Sequence, residues 1–191
     1  MIRFALTITA IEIALTLAGS TWIAFAETGD PGMAEGDFAA LGIDIERYSA
    51  NRRTRFGSAF SYDTEAVVKG RGPAITVSLR VHTPRAEYDS RLSGESWPKL
   101  REGDERPTVT AEPMPGEPGY TVRQRGRDGV RVEGVRLRGD DLLIVRAIWL
   151  NAPDAHAGQQ VAKCERLVRI LQDHMMVKLR WRDAEGEVTS R

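Results

Sequence analysis

Arginines set at alternate positions give this chain its most suggestive chemistry. Arg123, Arg125 and Arg127 follow one another at a spacing of two, as do Arg136 and Arg138, with Arg131 nearby. On β-strands that spacing puts each series on one face. A guanidinium offers paired, coplanar donors that match a carboxylate or a phosphate, so a face bearing four to six of them would hold an anion or an acidic partner. The same pattern arises on a solvated sheet face whose charges pair with Glu133, Asp128 or the acidic stretch 27–46. Arg123, Arg125, Arg127, Arg136 and Arg138 are therefore the candidate anion- or partner-binding residues.

Other reactive residue types have bland explanations. The single cysteine, Cys164, falls on the apolar side of a helical pattern, which points to a buried thiol of raised pKa and not to a nucleophile. His82, His156 and His174 have no metal-pair spacing, and neither HExxH nor CxxC occurs. His82 should oppose the apolar set of its strand. His156 should lie in the first turn of a C-terminal helix and His174 near its end, where a cation meets the negative end of the dipole. Gly57-Ser58-Ala59 and Gly94-Glu95-Ser96 do not form a nucleophile elbow. Asp140-Asp141 sits at a turn, and Gly126-Arg127-Asp128-Gly129 closes a hairpin instead of opening a helix. No catalytic, cofactor-binding or metal-binding residue is assigned.

These side chains need elements to position them. Ile75, Val77, Leu79 and Val81 alternate with Thr76, Ser78, Arg80 and His82, which predicts a half-buried strand over 74–83. An extended stretch at 56–68 precedes it across Lys69-Gly70-Arg71-Gly72-Pro73, making an antiparallel hairpin. Val109 opens a short strand. Tyr120–Arg127 and Val130–Arg138 meet at Asp128-Gly129, a two-residue hairpin signal. Leu142–Leu150 is an almost unbroken apolar run that suits a central strand covered on both faces.

Asp154 can cap a helix, and Val161, Cys164, Leu167, Val168, Leu171 and Met175 then follow at amphipathic helical spacing. Val177, Leu179 and Trp181 continue either as a final strand or as more helix. Phe38, Leu41, Ile45 and Tyr48 predict a helix over 37–48, across Gly42. Between the two strand groups, 84–106 reads as a long polar loop carrying Trp97. The fold class is α+β: an antiparallel sheet, a meander of hairpins, packed against a long C-terminal helix. In element order it resembles small exported α+β sandwiches of the PsbP type.

The N-terminus sets the expected address. Met1-Ile2-Arg3 is a minimal basic start, Phe4 to Ala26 is almost wholly apolar, and Ala24-Phe25-Ala26 has the small residues of a signal-peptidase site. Residues 1–26 are thus expected to be a signal peptide, with a cut after Ser20 as an alternative. A permanent anchor over 4–26 is opposed by Glu12, which costs about 2.5–3.5 kcal/mol near mid-span. Ser20 stands where a lipoprotein would need Cys. Residues 27–36 are expected to be a flexible acidic tail, 37–182 one domain, and 183–191 a polar C-terminal tail.

Formal net charge is zero, so there is no global field to draw nucleic acid or an acidic membrane. Only four of the 27 basic residues are Lys, a bias that fits a GC-rich Gram-negative bacterium. A lone cysteine permits no internal disulfide, so the domain must rest on its core. The expectation is a periplasmic or secreted, non-enzymatic binding or accessory domain, without a cofactor, for an acidic or anionic envelope partner. It would act through the arginine face or the 84–106 loop. The alternative is an exported enzyme, for instance a hydrolase, with a site gathered from residues such as His82, Asp63 and Glu65 in a deep pocket. A third reading, an accessory subunit of an envelope complex, requires an exposed apolar patch.

Overall fold

Two meanders meet to make the sheet. β1 (Ile45–Phe56), β2 (Ala59–Val68) and β3 (Ala74–Val81) form the first. β4 (Thr108–Glu112), β5 (Gly119–Gly126), β6 (Gly129–Arg138) and β7 (Asp141–Leu150) form the second. β7 then lies beside β3, so seven antiparallel strands run in the order β1-β2-β3-β7-β6-β5-β4. The computed structural model describes residues 32–56, 59–81, 85–94, 97, 102–112, 117–127, 129–151 and 156–189. Residues 1–26, expected to be a signal peptide, and His82, Asp128 and Asp154 lie outside the described residues.

β7 is central because its sequence can be buried on both sides. Leu143, Val145 and Ala147 point to one face and Leu142 and Ile144 to the other, and all five are buried. On the first face, helix α3 (Ala157–Thr189) lays Cys164, Val168, Leu171 and Met175 against Val132, Val145 and their neighbours. On the second, helix α2 (Arg85–Leu92) brings Tyr88 onto Tyr120, Val135, Leu137 and Leu142, with Trp97 beside them. The α+β architecture with a C-terminal helix on an antiparallel sheet is as the sequence predicts.

A missing side chain sets how closely α3 can lie. Gly134 on β6 faces the helix, and a Cβ there would stand 2.6 Å from both the Gln172 amide and a Val168 methyl. The helix therefore rests on β6 backbone, where any larger residue would hold it off.

Several local expectations differ from what is found. The helix predicted over 37–48 stops early: α1 spans Glu35–Ala40, and β1 takes Ile45 and Tyr48. Gly42 adopts φ +69°, Gly42 N–H donates to Ala39 O and Ile43 N–H to Phe38 O, a Schellman ending that a glycine at this place invites. The 84–106 segment is not all loop, since its first part forms α2. At the C-terminal end, the strand alternative gives way to helix, and α3 runs on to Thr189 through most of the expected tail.

The stretch expected as a loose tail is fastened from Gly32 onward. Met33 is 2 % exposed, and its carbonyl accepts hydrogen bonds from Tyr48 Oη (3.0 Å) and Thr64 Oγ1 (2.9 Å). Lys178 Nζ on α3 donates to Gly32 O (2.6 Å) and lies 3.2 Å from Asp37 Oδ2, while His174 Nε2 lies 3.2 Å from Asp37 Oδ1. His174 is thus a mid-helix partner of Asp37 and does not lie at the helix end. Burial by itself would raise the Asp37 pKa, but the His174 and Ala34 hydrogen bonds and the Lys178 charge hold it down, to about 2.

Two outcomes are expected. Gly134→Val should lower the denaturant midpoint, at a cost of about 1–3 kcal/mol, because α3 must be pushed away. Asp37 has a folded pKa below its ordinary value of 3.8, so its contribution is complete above about pH 4 and lost as pH falls toward 2. Urea unfolding at pH 5, 4, 3 and 2 should show wild type losing about 2 kcal/mol more across that window than Asp37→Asn does.

Candidate functional site

The register places the predicted arginines largely on one face, as the spacing requires. In β5 and β6 the cross-strand partners are Arg123–Val132, Arg125–Val130 and Gly119–Arg136, so Arg123, Arg125 and Arg136 all lie on the α3 side. They do not make a continuous stripe, because the hairpin stagger sends Arg136 to the far end from Arg125. Each is met by its own acid. Arg123 pairs with Glu165 of α3, Arg125 with Glu105 (3.6 Å) and Arg138 with Glu117 (3.8 Å). Arg136 crosses the bare backbone of Gly119, where a Cβ would lie 2.7 Å from its Cδ, to reach Glu112 on β4 at 2.5 Å. Arg127 is exposed, in a surface cavity of about 420 Å3 that it shares with Arg125, Glu102 and Glu105. These pairings use acids other than Glu133, Asp128 or the 27–46 stretch.

Glu133 serves the opposite face, beside α2. Its side chain is 1 % exposed, and three guanidiniums close around it. Arg91 Nη1 of α2 lies 3.3 Å from Oε1, while Arg131 Nη2 (2.7 Å) and Arg146 Nη2 (2.7 Å) share Oε2. Burial by itself would raise this carboxyl's pKa, but Arg146 and Arg131 outweigh it and hold the pKa below the usual range. Glu87 of α2 extends the network, bonded to Arg91 Nε (3.3 Å) and to Arg80 of β3. Four guanidiniums thus face two carboxylates. Asp63, a strand further on, is occupied by hydroxyl donors from Ser61 (2.7 Å) and Ser78 (2.5 Å).

Beyond α2 no other described element covers the same sheet face. A groove of about 700 Å3 runs over β1, β2 and β3, lined by Arg47, Ser49, Glu65, Val67, Ala74 and Thr76 among others. Thr76 pairs across with Arg146, and Ala74 with Ile148, which in turn pairs with Arg131. The groove therefore leads along the sheet rows to the guanidiniums that hold Glu133. An arrangement of this kind can bind an anionic group on Arg131 and Arg146, because both already have their torsions fixed by the buried carboxylate.

Of the remaining candidates, Glu65 lines the groove, while Cys164 and Asp63 stay apart from it. Cys164 of α3 is fully buried against the sheet, and burial, with the Glu165 charge, pushes its thiol up to about 12. Glu65 and Asp63 share the open face, but Asp63 is engaged by two serines. Among the described residues, no group of three or more His, Cys, Asp or Glu is placed to hold a metal. Of the arginines in the Glu133 network, only Arg131 stands out in the sequence. Arg91 lies in what reads as loop, Arg80 is a lone charge in an alternating strand, and Arg146 interrupts an apolar run. That interruption is the one available signal: a charge in the middle of a doubly covered strand needs a buried counter-charge, and Glu133 is its register partner.

Glu133→Gln should cost about 3–5 kcal/mol by leaving three guanidiniums on a neutral amide, read as a lowered urea midpoint at pH 7. Comparison with known proteins adds no assignment: no family model matches the chain, and no curated protein matches its sequence significantly.

Proposed function

We propose that this protein is an exported, non-enzymatic binding or accessory domain, and that its ligand or partner is anionic and docks on the open sheet face at its Arg131–Arg146 end. The observation that carries the reading is the charge imbalance around Glu133. Arg80, Arg91, Arg131 and Arg146 are answered by Glu87 and Glu133, and Arg146 is the cross-strand partner of Thr76, which lines the groove. Partly buried charge without a counter-charge is costly, and an anionic ligand would supply one. By contrast, Arg123, Arg125, Arg136 and Arg138 on the other face each have a carboxylate at hand.

The address rests on residues 1–26, which we read as a cleaved signal from a GC-rich Gram-negative bacterium, giving a periplasmic or secreted protein; retention of residues 4–26 as an anchor is the alternative. Among the described residues, no helix is long and apolar enough to cross a membrane.

The test has two arms. In a Gram-negative host the full chain should be recovered from the envelope fraction with Glu27 as its first residue, and deletion of residues 1–26 should leave it in the cytosol. Immobilised protein should retain an anionic component of envelope extract. Thr76→Glu, which sets a carboxylate beside Arg146, should lose it, while Thr76→Lys and the double variant Arg123→Glu/Arg125→Glu should keep it. Loss in the double variant but not in Thr76→Glu would reject the open face as the contact surface.

A further inference from the structure

We infer that the groove seats an amphiphilic oxyanion, its carboxylate or phosphate head on Arg131 and Arg146 and its apolar body over Ile148, Ala74 and Val67. This rests on the reading above and deepens it by naming the ligand's chemistry. The register supplies the first argument. One cross-strand row on the open face runs Arg47, Val67, Ala74, Ile148, Arg131. Its three central members are apolar, yet Ala74 is exposed and Val67 and Ile148 are only half-buried. Leu150, two positions beyond Ile148 and on the same face, is 59 % exposed. A solvated antiparallel face is ordinarily polar at such positions, as the neighbouring row Ser49, Glu65, Thr76, Arg146 is. An apolar line across three adjacent strands departs from that pattern. It spans about 10 Å, two inter-strand spacings, which is the reach of a medium-length alkyl chain.

Charge supplies the second argument, because it is graded along the groove. At the β1 end Glu46 and Glu65 flank Arg47, a net negative set, whereas Arg131 and Arg146 stand beyond the groove on β6 and β7. Glu133 takes Nη2 of Arg131 and Nε and Nη2 of Arg146. Nε and Nη1 of Arg131 and Nη1 of Arg146 have no partner among the described residues, and these two side chains are 21 % and 31 % exposed. An amphiphile with an anionic head is thereby oriented: the head meets the spare donors, the body covers the apolar row, and Glu46 and Glu65 together outweigh Arg47 against the reversed pose. The part of this row over β1, β2 and β3 lies in a groove of about 700 Å3, within the usual range for small-molecule sites, and Ile148 and Arg131 continue the row across β7 and β6.

The experiment is calorimetric titration of the purified protein at low salt with monomeric octanoate, octyl phosphate, 1-octanol, octylamine, acetate and inorganic phosphate. Octanoate or octyl phosphate should bind, and the tighter of the two identifies the head. Octanol, octylamine and the two chainless anions should each bind at least roughly tenfold more weakly, since neither head nor body suffices alone. Ala74→Glu and Ala74→Lys form the control pair, equal in bulk at an exposed position outside the Glu133 network. The first should abolish binding of the anions and the second should retain it.

Equal binding of octanol, equal behaviour of the two Ala74 variants, or no binding of either octyl anion would overturn the inference. If the octyl anions fail while Thr76→Glu still loses the envelope component, the amphiphile is wrong and the broader anionic reading stands. If both fail, the open face has no anionic ligand.

Discussion

A carboxylate as deep as that of Glu133 stays ionised only while cations surround it, and much of the molecule is arranged to meet that demand. β7 must supply Arg146 from the middle of an apolar run, β6 must supply Arg131 two residues before Glu133 on the same face, and α2 must lie close enough to add Arg91. None of these choices is independent. A one-residue slip between β6 and β7 would move Arg146 to the α3 side and put a neighbouring apolar residue opposite Glu133. The ion cluster therefore acts as a register lock for the two central strands as well as the anchor for α2.

The two faces solve the same problem differently. Under α3 the contact is steric: Gly134 lets the helix touch backbone, and Cys164, Val168 and Leu171 fill the layer beside the buried amides of Gln160 and Gln172. Under α2 the apolar contact is smaller, centred on Tyr88 and Tyr120, whose rings meet edge to face at 5.3 Å, and the ion network continues from it toward solvent. A short helix on a partly polar interface covers only part of its sheet face, which is why the groove exists at all.

What the sequence made legible follows from the range of the forces. Period-two and helical patterns are local, so β2, β3, β5, β6, β7 and α3 could be read from residues such as Ile75, Val77 and Val168. β1 was hidden because its mixed composition carries no clean alternation, and Phe38 through Tyr48 imitates a helix until Gly42 breaks it. α2 was hidden because a two-turn helix pinned by ion pairs has little apolar periodicity of its own. The site was half legible. Alternate arginines do share a face, but whether each is answered by an acid depends on residues distant in the chain, such as Glu112 and Glu165. The pairing of Arg146 with Glu133 is likewise a fact of strand register that neither residue announces alone.

The one-to-one pairing of Arg123, Arg125, Arg136 and Arg138 has a kinetic consequence. A chain with 27 basic residues looks built to attract, but with as many acids and these arginines each closely paired it carries little far field. Nothing pulls a partner in from a distance, and encounter is left to ordinary diffusion. Discrimination then falls to the last few ångströms, and tight complexes would differ from weak ones in how long they last more than in how fast they form.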